Sequence, residues 1–336
     1  MAKPAQTASA VQIGLFCQLK FQPMRAPVLA IVLPCYNEEA ILSETIARLT
    51  AMMNGYMEEG VIAPGSFLLF VDDGSRDRTL SILREHKSSM VRSLKLSANC
   101  GHQSALLAGM HYVTGKVDCM ISMDADLQDD ISVTSQMLEA YNRGAQIVYG
   151  VRQSRGADTW FKKQTALSFY KLMQSMGVNL IFNHADFRLL SNKVLTEFGR
   201  YREVNLFLRG IFPKMGFTSA TVYYDRQDRT AGETKYPLRK MLNLAMNGIT
   251  SFSNVPLKII SYIGFLVFLG SVLASLWVVF VILTGRNAPG WASITLPIYF
   301  LGGVQLLALG ILGEYISRIY LETKQRPVYH IEEVIE

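Results

Sequence analysis

The segment MDADLQDD, residues 123–130, places four aspartates close together, one residue after the apolar residues Cys119–Ile121. Asp124 and Asp126 are two positions apart, so in an extended chain both side chains project to the same side. Gln128 continues that face with a neutral oxygen. One or two carboxylates, completed by the oxygens of a diphosphate, are the usual protein ligands of Mg²⁺. The alternative is a polar loop that only caps a strand, and an isolated Asp-x-Asp does not decide between the two.

The elements around this segment predict an α/β fold. Short apolar runs alternate with helical patterns, and such alternation is typical of a parallel sheet covered by helices on both faces. In these sheets, ligands bind at the carboxyl ends of the strands. Strands are expected at 28–34, 67–71, 91–96, 117–122 and 145–152, and helices at 38–53, 78–86, 101–114 and 137–143.

Polar residues follow three of the predicted strands. Tyr36, Asn37 and Glu38 come after the first, Asp72 and Asp73 after the second, and the acidic segment after the fourth. These groups are therefore expected to meet along one edge of the sheet, the edge formed by the carboxyl ends of its parallel strands.

The sequence has neither a GxGxxG dinucleotide motif nor a Walker phosphate loop, which argues against a dinucleotide enzyme or a P-loop NTPase.

Two uncharged runs near the C-terminus, Ile259–Gly285 and Asn287–Gly313, predict membrane helices. Each is longer than the roughly 20 residues that a helix needs to cross a bilayer, although a pair of buried core helices is the alternative. Lys and Arg are enriched on both outer flanks, while the connection carries only Arg286. The positive-inside rule therefore predicts a hairpin whose flanks, and whose catalytic region, face the cytosol.

The remaining composition excludes several other classes. The net charge of +6 is not accompanied by a basic-aromatic module, so no nucleic acid partner is expected, and anionic lipid and phosphate explain the charge better. The four cysteines lack the spacing of a zinc or redox site. Residues 1–26 are interpreted as an N-terminal tail. Residues 236–257 are interpreted as an interfacial amphipathic helix, or as an ordinary helix packed on the soluble domain.

Taken together, several motifs resemble those of the polyprenyl-phosphate glycosyltransferases, a group within the large inverting family with the GT-A nucleotide-sugar fold. The resemblance runs from about Val28 to the C-terminus. The motifs are PCYNEE, VDDGSRDRT, NCGHQSALLAGM, MDADLQDD, DFRLLS and GETKYPLRK. The resemblance implies a GT-A domain at 27–235, two transmembrane helices within 258–318 and a cytosolic tail at 319–336.

The resemblance also implies roles for individual residues. Asp124, Asp126 and Gln128 match the metal motif for Mg²⁺ or Mn²⁺, and Asp126, Asp124 and Arg188 are the expected catalytic residues. Arg188 is expected to hold phosphate, with Arg209, Arg229 and Lys235 as further phosphate candidates. The expected donor-binding residues are Pro34, Tyr36, Asn37, Glu38, Asp72 and Asp73. Asp129 and Asp130 are expected to be solvated or to cap a helix, and His102 to cap or pack; a solvated loop or a donor contact is expected for Arg152.

The expected activity is transfer of a sugar from a nucleotide-sugar donor, with UDP favoured, to undecaprenyl phosphate at a bacterial inner membrane. The product would serve envelope glycan or O-antigen modification, a separate flippase would move it across the bilayer, and the membrane helices could form a homo-oligomer. One alternative is a processive polysaccharide synthase, although its Gln-x-x-Arg-Trp motif is absent. Another is a catalytically idle, membrane-tethered nucleotide-binding protein or a transporter component.

Overall fold

A computed structural model describes residues 25–152, 184–203, 208–225, 255–284 and 290–336. The strands are β1 (Leu29–Cys35), β2 (Phe67–Asp72), β3 (Val91–Leu96), β4 (Cys119–Ser122), β5 (Ile147–Arg152), β6 (His184–Ser191), β7 (Ser219–Tyr224) and β8 (Ile331–Ile335). The helices are α1 (Leu42–Glu58), α2 (Thr79–Glu85), α3 (His102–Val113), α4 (Val133–Asn142), α5 (Asn192–Phe198), α6 (Leu208–Lys214), α7 (Val255–Leu283) and α8 (Trp291–Lys324).

All the described strands form one mixed sheet in the order β7-β5-β6-β4-β1-β2-β3-β8. The central strands β4, β1, β2 and β3 are parallel. β6 is antiparallel to both β4 and β5, and β8 is antiparallel to β3 at the outer edge. The predicted α/β class and the five predicted strands are confirmed. β6, β7 and β8 were not predicted, because their sequences lack the fully apolar runs of the buried central strands.

The hydrophobic core lies on both faces of the sheet. Alternate residues of β1 point to opposite faces, as a pleated strand requires. Leu29, Ile31 and Leu33 belong to a cluster that contains α1, α2 and α4, whereas Ala30 and Val32 join α3, α5 and α6. All residues of β1 and β2 are buried, which explains why their sequences are apolar without alternation.

Two predicted helix starts differ from the structure. α1 begins at Leu42 rather than at residue 38, because residues 36–41 form turns that the next loop holds in place. The backbone N–H of Glu38 donates to Thr79 Oγ1 at 2.9 Å, and that of Asn37 donates to Ser75 Oγ at 3.0 Å. α4 begins at Val133, four residues earlier than expected.

The C-terminal helices α7 and α8 contact each other and expose large apolar side chains, among them Trp277, Phe280, Leu306 and Leu309. Within the described residues, one segment, Phe300–Lys324, is long and apolar enough to cross a membrane, and none of its most apolar stretch is buried inside the protein. A shorter apolar segment covers Val255–Val267. The predicted N-terminal tail lies almost wholly outside the described residues, as does the predicted interfacial helix.

Candidate active site

The candidate site lies at the edge of the sheet where β1, β2 and β4 end. Because β6 runs antiparallel to β4, its first residues reach the same edge, and Ser122 at the end of β4 is the register partner of Arg188. β5 and β7 are parallel to each other, and their last residues, Arg152 and Tyr224, are register partners. Six strands therefore bring residues that are distant in sequence to one edge.

Hydrogen bonds from backbone N–H groups to side-chain oxygens join the loops after β1 and β2 into one unit. Asn37 has a left-handed backbone with φ of 57°, and its side-chain oxygen accepts from the N–H of Arg76 at 2.9 Å. The carboxylate of Glu39 accepts from the N–H of Arg78 at 2.9 Å. Tyr36 is 41% exposed at this edge, whereas Pro34 is buried within β1. Of the predicted donor-binding residues in this loop, Tyr36 and Asn37 are exposed, and Tyr36 presents an aromatic ring to a base or ribose.

Asp72 and Asp73 are both buried but have different surroundings. The two oxygens of Asp73 accept from the N–H groups of Cys100 and Gly101 at 2.7 and 2.9 Å, so Asp73 fixes the chain that enters α3. Asp72 Oδ1 accepts from the N–H of Ser75 at 3.2 Å, while its buried Oδ2 has no hydrogen-bond partner. Burial raises the pKa of both carboxyls. Asp72 therefore retains an unused acceptor.

Gly74 allows this turn to approach the loop that precedes α3. Its φ is +69°, and an added Cβ would lie 2.9 Å from backbone atoms of Ala98 and Asn99. Only glycine combines a positive φ with so close an approach. The conformation of the DDGS motif is thus explained by backbone packing.

The acidic loop after β4 has no regular secondary structure, and side chains hold its backbone. Thr45 Oγ1, from α1, donates to the carbonyl of Ala125 at 2.9 Å. Leu127 is left-handed with φ of 53°, and the N–H of Gln128 donates to Asp126 Oδ1 at 3.2 Å. The Gln128 side chain is 2% exposed, and neither its amide nitrogen nor its amide oxygen has a partner. A buried amide without partners is costly, which indicates that a ligand completes its hydrogen bonding.

Asp124 lies in a crowded electrostatic environment. Burial raises its pKa to about 6; His102 opposes this rise, and the carboxylates of Asp129, Asp186 and Asp126 add to it. His102 Nε2 lies 3.6 Å from Asp124 and 3.8 Å from Asp186. His102 therefore faces two site carboxylates, a role that its predicted capping or packing position did not indicate.

A buried ion-pair group stands beside the acidic loop. Asp186 bonds to Arg188, and it also accepts from Nη2 and Nε of Arg209 at 3.0 and 3.3 Å. Burial disfavours the ionised form of Asp186, but Arg188 and then Arg209 outweigh it and hold its pKa below the ordinary value. Ser122 Oγ donates to the Asp186 carbonyl at 2.5 Å, which ties this group to β4.

The Arg188 guanidinium is fully buried, and its Nε and Nη1 have no hydrogen-bond partner. Its observed contacts are the Asp186 carboxylate and the ring of Phe212, at 5.2 Å from the ring centroid. Arg209 is more accessible, with a side chain 35% exposed. In this structure Arg188 therefore organises Asp186, and its predicted contact with phosphate remains a prediction.

The predicted metal ligands can be tested against their surroundings. The described residues contain no ready-made group of three or more His, Cys, Asp or Glu side chains able to enclose an ion. A Mg²⁺ or Mn²⁺ ion shared with a diphosphate does not need one, since one or two carboxylates suffice. The raised pKa of Asp124 and the unpartnered amide of Gln128 both fit a cation that binds with its nucleotide.

The structure thus brings most of the predicted site residues together and adds others. Asp129 is 4% exposed and bonded to Arg152 and Tyr224, which differs from the expectation of a solvated or capping residue. Asp130 does cap, accepting from the N–H of Ser132 at 3.0 Å.

The pairing of Asp186 with Arg188 could have been predicted from their spacing, because residues two apart on a strand share a face. Arg229 and Lys235 lie outside the described residues.

Comparison with known proteins identifies relatives along most of the chain. The family model described as Glycosyl transferase family 2 matches residues 30–199. The uncharacterized glycosyltransferase YkoT of Bacillus subtilis is 52% identical, with 91% of each chain covered. The bactoprenol glucosyl transferase of Shigella phage SfX is 39% identical, covering 90% of this chain and 98% of the relative.

A solved structure also matches the chain, at low identity. It is the mannosyltransferase PcManGT from Pyrobaculum calidifontis in complex with GDP-Man and Mn²⁺, with a TM-score of 0.43 and 14% identity, covering 84% of this chain and 87% of that one. The family match and the mixed, mostly parallel sheet confirm the GT-A expectation.

Proposed function

Because the chain belongs to glycosyl transferase family 2, we propose that it moves a sugar from a nucleotide-sugar donor, with UDP favoured, to a polyprenyl phosphate such as undecaprenyl phosphate. Relatives named bactoprenol glucosyl transferase support this acceptor, because they match about nine-tenths of the chain. The observation that carries the proposal is the convergence, at one sheet edge, of the acidic loop, the buried Asp72 and the Asp186–Arg209 pair.

The donor would occupy the space between the β1 and β2 loops and the acidic loop. Tyr36 offers an exposed ring for the base, and Asp72 Oδ2 offers an unused acceptor for a hydroxyl group. Asn37 and Glu38 shape this wall through their bonds to Arg76 in the β2 loop and to Thr79 at the start of α2. Asp124, Asp126 and Gln128 would hold a Mg²⁺ or Mn²⁺ ion, which neutralises charge on the leaving nucleoside diphosphate.

The acceptor needs positioning more than activation. A phosphate monoester has a second pKa near roughly 6, so it is largely dianionic at neutral pH and is already a nucleophile. Its oxygen forms a bond to C1 of the sugar while the bond from C1 to the diphosphate breaks, and the anomeric carbon inverts. Arg209 can hold the acceptor phosphate, since a guanidinium suits bidentate phosphate contacts. Arg188, Arg229 and Lys235 are the further phosphate residues of this proposal.

The candidate membrane helix and its companion α7 support a multi-pass arrangement in a bacterial inner membrane. The two apolar helices expose large hydrophobic side chains, and the surrounding Lys and Arg residues favour a cytosolic catalytic domain. In this arrangement the glycolipid forms on the cytosolic side, so a separate flippase would be required before the sugar could modify an envelope glycan. Self-association through the apolar helices belongs to the same proposal.

The test is sugar transfer by the full chain in detergent, from UDP- and GDP-sugars to undecaprenyl phosphate, with Mn²⁺, Mg²⁺ or EDTA. We expect one glycolipid, formed only with the divalent cation. Asp126→Asn should lower the rate by at least about a hundredfold, on the order of 3 kcal/mol. Asp130→Asn, which changes a capping carboxylate of the same loop, should retain activity.

A negative result would be equally informative. If the protein binds nucleotide with Mn²⁺ but transfers no sugar to undecaprenyl phosphate from any donor, the acceptor assignment is wrong. If addition of several sugars in succession were seen instead, the processive alternative would replace the proposal.

A further inference from the structure

A buried cluster made of Asp129, Arg152 and Tyr224 adjoins the acidic loop. Asp129 Oδ1 accepts from Arg152 Nη2 at 2.9 Å and also from the hydroxyl of Tyr224, while Arg152 Nε donates to that same hydroxyl at 3.2 Å. The three side chains thus form a closed triangle of hydrogen bonds. Its members come from the loop and from the last positions of β5 and β7.

The cluster anchors a loop that has no regular secondary structure. Residues 123–130 form neither helix nor strand, and Leu127 has a left-handed backbone. Thr45 holds the early part of the loop at Ala125. Asp129 holds the late part, directly after Gln128, through two strands of the sheet. The position of Gln128 is therefore fixed by residues that lie 23 and 95 positions from Asp129 in the sequence.

Gln128 needs such an anchor because its own side chain has none. Both polar atoms of its amide are buried without a partner, so no side-chain hydrogen bond fixes its rotamer. Residues that orient a metal ligand from outside the coordination sphere contribute roughly 10- to 100-fold to metal affinity. The unpartnered amide, rather than the acidic character of the loop, indicates a ligand at this point.

We propose that Asp129, Arg152 and Tyr224 are positioning residues that hold Gln128 for a divalent cation. The inference rests on the proposed function for the identity of the bound nucleotide, so Mn²⁺ binding is measured both with and without added UDP. In this arrangement Asp129 Oδ1 is the anchor, held by Arg152 and Tyr224, while its buried Oδ2 has no hydrogen-bond partner. Asp124, Asp126 and Gln128 bind the cation.

The experiment measures Mn²⁺ binding to the full chain in detergent, by titration calorimetry and by the electron paramagnetic resonance of free Mn²⁺. Tyr224→Phe removes one hydroxyl and keeps the ring, which packs edge-on against Phe187 at 5.4 Å. Asp129→Asn keeps the shape and removes the charge. We expect both variants to raise the Kd for Mn²⁺ about tenfold or more.

Two matched controls test specificity. Tyr223→Phe changes the neighbouring tyrosine, which is 57% exposed, and Asp130→Asn changes the next carboxylate of the loop. Both should bind Mn²⁺ within about twofold of the unaltered protein. A double-mutant cycle tests the route of action: in a Gln128→Ala background, Tyr224→Phe should cause little further loss, because the two act as one unit.

Unchanged Mn²⁺ affinity in Tyr224→Phe and Asp129→Asn would overturn the proposal. The proposal would also be overturned if Tyr224→Phe weakened Mn²⁺ binding as much in the Gln128→Ala background as in the unaltered protein. A loss of Mn²⁺ affinity of the same size in the two controls would overturn it as well. If Asp129→Asn does not fold, Tyr224→Phe decides the question. Because the readout is Mn²⁺ binding, a failure of sugar transfer would count against the proposed function without affecting this result.

Discussion

Ile331, the first residue of β8, is the register partner of Leu96, the last residue of β3. Since Leu96 stands at the carboxyl end of β3, the chain that leaves α8 rejoins the sheet at the edge that carries the candidate site. An extended connection from Lys324 to Ile331 reaches at most about 25 Å. The end of the candidate membrane helix is therefore tied close to that edge, and part of the predicted C-terminal tail is a strand of the catalytic domain.

Ending the chain after His330 should destabilise the domain. Loss of β8 leaves one side of the β3 backbone unpaired, while β2 still pairs the other side, and it uncovers apolar surface now buried by Ile335. We expect the unfolding temperature to fall by on the order of 5–10 °C, with aggregation through the new edge strand. Thermal unfolding and light scattering in detergent would measure both effects.

The matched control removes charge without removing the strand. Glu332→Gln combined with Glu333→Gln breaks ion pairs to Lys95 and Arg84, whose side chains are partly to well exposed. Exposed pairs contribute about 0–1 kcal/mol each, so only a small change is expected. Equal stability of the shortened and complete chains would show that β8 is dispensable.

Asp186→Asn should be among the most destabilising single changes at the site. It leaves the fully buried Arg188 without its carboxylate partner. Removing one partner of a buried pair costs about 3–5 kcal/mol, measurable by denaturant unfolding. Glu197→Gln is the control, because it breaks an exposed pair with Arg200 and should cost no more than about 1 kcal/mol. A similar decrease in the free energy of unfolding in the two variants would contradict the claim that the buried pair contributes more than the exposed one.

Two glycine-to-alanine substitutions should change the free energy of unfolding in opposite directions. Gly109 lies in α3 where an added Cβ would be 2.3 Å from Val32 Cγ1 and 3.1 Å from Val71 Cγ2. Gly109→Ala should therefore destabilise by about 1–3 kcal/mol through overpacking. Gly55 lies within α1 with nothing within 4 Å of its Cβ position, so Gly55→Ala should stabilise by about 0.5–1 kcal/mol. Denaturant unfolding checks both, and a loss at Gly55 would contradict the packing described for α1.

Cation binding should strengthen as the pH rises through about 6. Burial, opposed by His102 and reinforced by neighbouring carboxylates, raises the pKa of Asp124 to about 6. Below that pH a proton competes for the carboxylate, so the apparent Mn²⁺ affinity should fall by up to about tenfold per pH unit. Because the folded pKa of Asp124 exceeds the unfolded one, its ionisation lowers the stability of the metal-free protein as the pH rises from about 4 to about 6, and a bound cation offsets that loss.

Mn²⁺ titrations between about pH 5 and pH 8 would measure this dependence. Asp124→Asn serves as the comparison, since it should bind weakly and without this pH dependence. An affinity of the unaltered protein that stays constant across the range would rule out Asp124 as the titrating ligand.

Local sequence patterns were enough to predict the central strands of the sheet and the position of the acidic loop. β1 and β2 are buried on both faces, so their sequences must be continuously apolar, and such runs are recognisable without a structure. Polar residues directly after these runs must lie at the carboxyl edge, which placed Asp72 and Asp124 correctly. The motifs that identified the family are also short segments that can be recognised in the sequence without a structure.

The distant side chains that support these residues could be identified only in the folded chain. Because β6 runs antiparallel to β4, Asp186 and Arg188 lie beside the carboxyl end of β4. The direction of a strand within a sheet cannot be predicted from its local sequence pattern. Asp129 meets Tyr224 across 95 positions because β5 and β7 end together. Burial then determines the contacts of each charged group. Asp129, which was expected to be solvated or to cap a helix, is bonded to Arg152 and Tyr224, since a buried charge must find a partner.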